Sequence, residues 1–202
     1  MKVGRFATRL GYPLIGALVA ASFLPSRALA QDDHMHKLTL PQHEQTPDQK
    51  SRASALVQVV REATARFQDV AVAEAQGYAL LFGCVSGSDL GAMGLHFVNG
   101  PLAFDGELDV TKPEIVLYEP TSNGRLRLTG ADYLVLADAW NAKHSSPPEL
   151  MGQLFHLFDS PNRFGLPAFY TLHVWAWKEN PAGTFTNWNP NVSCDAFNPQ
   201  NH

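Results

Sequence analysis

Over residues 171–177 the even positions are plain apolar residues and the odd positions carry polar or large aromatic side chains, and this period of two predicts a β-strand. One face of that strand would carry only apolar core side chains. The other face would carry a hydroxyl, an imidazole and two indoles, from Thr171, His173, Trp175 and Trp177. Burying an imidazole is unfavourable unless it gains polar partners. What His173 faces is therefore the main question that the sequence raises about function.

The remaining hydrophobic patterns predict one long helix, several strands and a second, short helix. Spacings of three and four apolar positions predict a helix over residues 47–75, which starts with a capping box at Thr46 and Gln49. Strands are predicted at 78–82, 95–98, 115–119 and 125–137, with a hairpin at Asn123-Gly124 and a short helix over 148–158. Because strands and helices do not alternate regularly, the sequence predicts an α+β fold. It would be a mostly antiparallel sheet with the long N-terminal helix packed on one face and the short second helix beside it.

The first 30 residues have the pattern of a secretory signal peptide. Three basic residues precede a run of about fifteen mostly apolar residues, and Ala28-Leu29-Ala30 is a small-x-small cleavage site. The alternative is a membrane anchor, but the apolar run is shorter than the roughly 20 residues that a span requires. The sequence thus predicts a signal peptide (1–30), a flexible mature N-terminus (31–45) and a single α+β domain (46–202). It also predicts a periplasmic or secreted location, with no membrane span after cleavage.

Charge limits the classes of partner. The whole chain carries 15 basic and 19 acidic residues, and the segment 1–30 contains four basic residues and no acid, so cleavage would leave a net charge of −8. A chain this acidic does not suit nucleic acid or anionic lipid as a partner. The tail histidines His34, His36 and His43 indicate either a metal-capturing segment or incidental solvated residues, and their role stays open.

Cys84 and Cys194 are the two cysteines of the chain. In an exported protein, two distant cysteines most simply form one disulfide, which here would stabilise the fold by about 4–5 kcal/mol through loop closure. The alternatives are a reactive thiol or a cysteine metal ligand. Neither cysteine lies in a C-x-x-C pair, so the disulfide is the prediction.

Four scattered groups are candidates for one metal site. His96 and His173 lie inside strand patterns, Glu119 continues one face of the strand at 115–119, and His156 lies on a second stripe of the short helix predicted over 148–158. They belong to different elements, so only the fold could bring them together. Three imidazoles and a carboxylate suit a transition metal ion such as zinc, iron, manganese or copper. In that case Glu119 would be a ligand or a catalytic base toward metal-bound water, and Tyr118, Trp175 and Trp177 would form the pocket walls. The alternatives are that each histidine is an ordinary hydrogen-bonded residue and that Glu119 faces solvent beside Pro120.

Four motifs resemble those of a group of uncharacterised exported bacterial proteins. They are GAMGLHFVN (91–99), PEIVLYEP (113–120), PELMGQLFH (148–156) and LHVWAWKENPAGTFTNWNPNVSC (172–194). The resemblance covers the chain from about residue 63 to residue 197. It implies an exported single-domain protein and implies no fold, activity or ligand.

These patterns predict an exported small-molecule-binding protein with a His-rich pocket, which could hold one transition metal ion and could be catalytic. One alternative is a non-catalytic binder of an apolar or aromatic ligand, with tryptophan walls. Another is an envelope protein that uses its aromatic C-terminal loop as a protein-contact surface. The sequence contains no nucleotide-binding fingerprint and no nucleophile triad. Substrate, reaction, metal identity and oligomeric state stay open.

Overall fold

The computed structural model describes residues 45–87 and 89–199. The helices are α1 (Pro47–Thr64), α2 (Val70–Ala75), α3 (Gly100–Ala103) and α4 (Ala137–Asn141), with a 3₁₀ turn at Ala65–Gln68. The strands are β1 (Tyr78–Ser86), β2 (Ala92–Asn99), β3 (Ile115–Pro120), β4 (Leu126–Leu136), β5 (Glu149–Leu150), β6 (Gln153–Leu154), β7 (His156–Phe158) and β8 (Phe169–Val174). The predicted signal peptide and the histidines His34, His36 and His43 lie outside the described residues.

The central element is a six-stranded sheet in the order β1-β2-β3-β4-β8-β7, in which every neighbouring pair is antiparallel. The α+β class and the mostly antiparallel sheet are therefore confirmed. The predicted hairpin is also present, because β3 pairs with β4 in a register that brings Pro120 opposite Leu126. Asn123 stabilises the turn by accepting hydrogen bonds from the Thr121 hydroxyl and the Arg125 amide.

Helix α1 and the 3₁₀ turn cover one face of the sheet. Leu56 and Val60 of α1 are fully buried against a cluster that includes Tyr133 of β4 and Leu172 of β8. Phe67, from the 3₁₀ turn, packs on the neighbouring part of the same face. Each fully buried aliphatic or aromatic side chain here contributes roughly 1.5–3 kcal/mol of hydrophobic stabilisation.

The single helix predicted over 47–75 is divided into three segments. Its start is as predicted, since Thr46 and Gln49 form the reciprocal capping box. The break comes at Asp69, whose backbone is extended (φ −96°, ψ 113°) and whose carboxylate accepts a hydrogen bond from the Ala71 amide. Asp69 therefore acts as an N-cap that starts a new helix, whereas the periodicity alone placed it on an exposed helical face.

The prediction of a second helix over 148–158 is wrong. The segment forms three short strands, and β5 and β6 are joined by Met151 and Gly152, which both have positive φ (49° and 85°). Two such residues make the two-residue turn that suits a β-hairpin. Leu154 and Leu157 of this segment are more than half exposed.

Loops and the C-terminal segment cover the opposite face of the sheet. Val192 and Cys194 pack into the apolar cluster of that face, and Asn189 forms a backbone bridge with Ala92 of β2. The predicted disulfide between Cys84 and Cys194 is present, with Cα atoms 5.8 Å apart. It ties the C-terminal segment to strand β1 and fits a protein of an oxidising compartment.

Within residues 45–87 and 89–199, no helix combines the length and the apolar character that crossing a membrane would require.

Candidate metal centre

Three strands bring two imidazoles and one carboxylate together on the sheet face opposite α1. Asp132 of β4 lies directly across from His173 of β8, and His96 approaches from β2. One potential ligand atom of each residue lies within 4.8 Å of those of the other two. All three side chains are buried, at 2–3% exposure. The sequence thus places three metal-binding groups at one interior point.

His96 is held in one orientation by its own strand. Its Nδ1 lies 3.2 Å from the carbonyl oxygen of Gly94. Because a carbonyl only accepts hydrogen bonds, Nδ1 must carry the proton, and Nε2 of the neutral ring keeps its lone pair. A backbone carbonyl behind one ring nitrogen is the usual support of a metal-binding histidine.

Gly94 reaches this position through a backbone conformation with φ of 87°. A Cβ atom there would lie 2.4 Å from the carbonyl oxygen of Tyr118. The residue must therefore be glycine for both conformational and steric reasons. This explains the Gly-Leu-His order of the motif at residues 94–96.

His173 has no satisfied ring nitrogen. Among the described residues, neither Nδ1 nor Nε2 finds a hydrogen-bond partner, although Asp132 Oδ1 lies 3.4 Å from Nδ1. Asn187 lies close enough to favour the protonated ring, but its own Oδ1 makes no well-aligned hydrogen bond either. Buried polar atoms are usually paired, and an exception of this kind calls for a ligand or another functional reason.

Asp132 is a carboxylate in the middle of a buried strand. It accepts a very short hydrogen bond from the Thr171 hydroxyl. Burial raises the pKa of Asp132 to about 6, although nearby His96 and the hydrogen bonds from Thr171 and Leu172 act in the lowering direction. The carboxylate is therefore mainly ionised at neutral pH.

Burial shifts the pKa values of the two imidazoles downward, whereas it raises that of Asp132. Burial lowers the pKa of His96 to about 4 and that of His173 to about 3. Both rings are thus neutral at pH 7, which is the form that binds metal ions. The cluster then presents two nitrogen donors, one oxygen donor and one negative charge.

The cluster lines a small apolar cavity of about 20 Å³. That volume is room for roughly one water molecule. Beside His96, Asp132, His173 and Thr171, the wall consists of apolar side chains: Phe82, Met93, Ile115, Leu134, Phe158, Phe164, Leu166 and Phe169. The site is shielded from solvent mainly by phenylalanines, and not by the tryptophans named from the sequence.

The structure places Glu119 away from this cluster. It lies four residues beyond Ile115 on β3, roughly 13 Å along the strand. Its Oε2 is 2.5 Å from Lys178 Nζ, and its Oε1 accepts a hydrogen bond from the Ser193 amide. The carboxylate is buried, so the alternative that it faces solvent is wrong, and its partners are Lys178, the more distant Arg127 and the C-terminal segment.

His156 lies beside the centre and not within it. It sits on edge strand β7, opposite Thr171, and its side chain is exposed. Cross-strand partners point to the same face of a sheet, so His156 shares the face of the cluster. Its proximity contributes to the lowered pKa of His173.

The three aromatic residues predicted as walls have other positions. Trp175 packs next to His173, with ring centroids 6.0 Å apart, and donates its Nε1 hydrogen bond to the Thr186 carbonyl. Tyr118 is buried on the helix-covered face, where its hydroxyl donates to the Phe67 carbonyl. Trp177 donates to the Thr64 hydroxyl of α1, because β8 ends at Val174 and the alternation does not continue.

The residue that sequence reasoning missed is Asp132. The signal was present, since Asp132 lies between apolar neighbours in a run that otherwise predicts a central strand. A buried acid there is costly unless it has a partner.

No protein-family model, no curated protein and no solved structure matches this chain. The similarity to exported bacterial proteins therefore stays a prediction from the sequence motifs, and the arrangement of His96, Asp132 and His173 carries the functional case.

Proposed function

We propose that this chain is an exported metal-binding protein, in which His96, Asp132 and His173 hold one divalent transition metal ion. The observation that carries the proposal is the convergence of these three ligand atoms within 4.8 Å in a buried, otherwise apolar site. Without a cation, the fold would bury an ionised carboxylate whose only side-chain hydrogen-bond donor, among the described residues, is a threonine hydroxyl.

The spacing of the donors fits an ion. Ligand atoms around a tetrahedral ion with bonds of about 2.1 Å lie about 3.4 Å apart. His173 Nδ1 and Asp132 Oδ1 are already 3.4 Å apart. Side-chain adjustments of about 1 Å would bring all three donors within bonding distance.

The donor set narrows the class of metal. Two imidazoles and one carboxylate suit zinc or ferrous iron better than magnesium or calcium, which prefer oxygen ligands. Three protein ligands leave coordination positions for a small exogenous ligand, so a bound ion would supply a Lewis acid in an apolar cavity. In this proposal Asp132 takes the role that the sequence pattern gave to Glu119, and exposed His156 is a candidate outer ligand.

The alternative of a pocket for an aromatic ligand has less support. A cavity of about 20 Å³ is far smaller than the roughly 300–1,000 Å³ of typical ligand pockets. Both candidate tryptophan walls are also engaged in internal hydrogen bonds. The C-terminal loop as a contact surface has no specific contact in its favour, since Trp188 is half-buried under the Arg163 guanidinium.

Metal titration of the chelator-treated protein tests the proposal. We expect one zinc or cobalt ion per chain and an increase in thermal stability that grows with metal concentration, because the ion binds only the folded chain. His173→Ala, His96→Ala and Asp132→Asn should each lower the affinity severely while retaining the fold. His144→Ala is the matched control, since that exposed imidazole stacks on Trp140 outside the cluster.

Two results would contradict the proposal. One is the absence of stoichiometric metal in a folded, oxidised sample at neutral pH. The other is binding that survives in all three cluster variants but is lost in His144→Ala. If the three cluster variants lose affinity and His156→Ala also binds metal more weakly, the exposed histidine completes the coordination.

A further inference from the structure

Two phenylalanines lie next to one another at the cavity beside His96. Phe164 lies next to His96, with ring centroids 6.4 Å apart, and Phe82 packs edge-on against Phe164 at 5.3 Å. Phe82 is 42% exposed, Phe164 is half-buried and His96 is buried. The two rings therefore lie in series between solvent and the ligands.

Phe82 occupies its place in an unusual backbone conformation. Its φ is 67°, and the register of β1 against β2 skips Phe82 and Gly83 as a bulge. A bulky residue with positive φ is a genuine outlier, and such outliers concentrate at ligand sites. The bulge directs the Phe82 ring over Phe164 and out of the regular alternation of the strand.

Phe164 is also held firmly. It lies on the loop between β7 and β8, where the Asn162 side chain accepts from the Phe164 and Leu166 amides and donates to the Asp159 and Leu166 carbonyls. One side chain thus holds the loop closed on itself.

The cavity behind this cover selects by size and by charge. About 20 Å³ admits one or two heavy atoms. Among the described residues, no lysine or arginine lines it, and the Arg163 side chain is engaged with the Ser86 carbonyl and the Trp188 ring. An anion would lose its hydration on passing the phenylalanines, and no basic side chain of the wall would offset that cost before it reached the ion.

We infer that Phe82 and Phe164 form a cover that admits to the metal only small uncharged molecules, of the size class of water, dioxygen or nitric oxide. This inference rests on the proposed metal site and adds the class of its exogenous ligand. Anions such as azide and larger bases such as imidazole are excluded.

The test compares ligands of the metal-loaded protein in wild type and two cover variants. In wild type, nitric oxide should bind the ferrous protein and give the electron paramagnetic resonance signal of an iron nitrosyl. Azide and imidazole should leave the visible spectrum of the cobalt protein unchanged. In Phe82→Gly and Phe164→Ala, azide should bind the cobalt protein at least about tenfold more tightly.

Phe82→Gly is the sharper variant, because glycine adopts a positive φ without strain and the wild-type ring is largely exposed. The matched control is Phe104→Ala, which removes a ring that is 58% exposed and does not line the cavity. The control should keep the wild-type selectivity.

Chemical labelling of histidines in the metal-free protein tests the phenylalanine cover independently of the metal site. Diethyl pyrocarbonate should modify exposed His144 in every variant, but His96 and His173 only in Phe82→Gly and Phe164→Ala. Azide binding to wild type as tight as in the variants, or equal labelling of His96 and His173 in all proteins, would overturn the cover. Failure of any metal to bind, with selective labelling intact, would instead overturn the metal site and the ligand class that depends on it.

Discussion

The contribution of Glu114 to the stability of the protein is expected to fall as the pH rises. This carboxyl group immediately precedes β3, is 2% exposed and accepts a hydrogen bond from the Leu134 amide at 3.0 Å. No ion pair among the described residues involves it. Burial raises the pKa of Glu114 from 4.5 to about 8, and its two hydrogen bonds only partly oppose that shift.

The sign of the effect follows from proton counting. Between about pH 4.5 and pH 8 the folded chain keeps a proton on Glu114 that the unfolded chain has already released. The contribution of Glu114 to the free energy of unfolding therefore decreases through this window, and its full loss is present above pH 8. A shift from 4.5 to about 8 corresponds to a loss of at most about 5 kcal/mol.

Glu114→Gln removes the titrating group but keeps an oxygen that can accept from Leu134. We expect the variant and the wild type to be similarly stable near pH 5. Near pH 9 the variant should be more stable, by several kcal/mol and at most about 5 kcal/mol. The pKa shifts of Asp132, His96 and His173 occur in both proteins. Their contributions therefore largely cancel in the stability difference between the variant and the wild type.

Urea unfolding of both proteins at a series of pH values measures the effect. Glu62→Gln, which changes an exposed carboxylate of α1, is the matched control. A difference between Glu114→Gln and wild type that stays constant from pH 5 to pH 9 would refute the reasoning. It would show that the carboxyl group ionises in the folded protein at the same pH as in the unfolded chain.

Three further changes test individual contacts. Cys84→Ser should lower the melting temperature, since the disulfide closes a loop of 110 residues and contributes about 4–5 kcal/mol; an unchanged melting temperature, or no free thiol at Cys194, would contradict this. Thr171→Val removes the hydroxyl that donates to Asp132 and should weaken metal binding by about 10-fold or more, whereas Thr171→Ser should bind as the wild type does. Equal metal affinities of Thr171→Val and wild type in calorimetry would contradict this. Gly94→Ala should destabilise the fold by more than about 1 kcal/mol, because the added Cβ meets the Tyr118 carbonyl. The control Gly100→Ala adds a Cβ with no atom within 4 Å. Equal unfolding midpoints of the two variants would show that position 94 does not require glycine.

The local patterns of the sequence predicted those features that depend on neighbouring residues. The hairpin followed from Asn123-Gly124, and the inward direction of His96 and His173 followed from strand alternation. The disulfide followed from the number of cysteines and the predicted export. Each of these signals lies within a few residues or in a simple count, so no tertiary information was required.

The errors occurred where the outcome depended on register or on distant partners. Strand alternation left open whether Glu119 faces the interior or solvent, and it could not show that Lys178, 59 residues later, would neutralise the buried carboxylate. Spacings of three and four over 148–158 fit a helix as well as they fit a hairpin, and Gly152 with a positive φ decided for the hairpin. Asp132 joined the centre only because β4 pairs with β8 in the register that brings it opposite His173.

The buried carboxylates of the sheet differ in how they are compensated. Glu119 has a lysine and a backbone amide as partners, and Glu114 is held in its neutral form by burial. Asp132 stays ionised at neutral pH next to His173, whose ring nitrogens have no hydrogen-bond partner among the described residues. Sequences generally agree with their fold at every level, and departures concentrate at functional sites. Here an undercompensated acid, an unsatisfied imidazole and a phenylalanine with positive φ all border one cavity of about 20 Å³, and a bound cation would satisfy the first two at once.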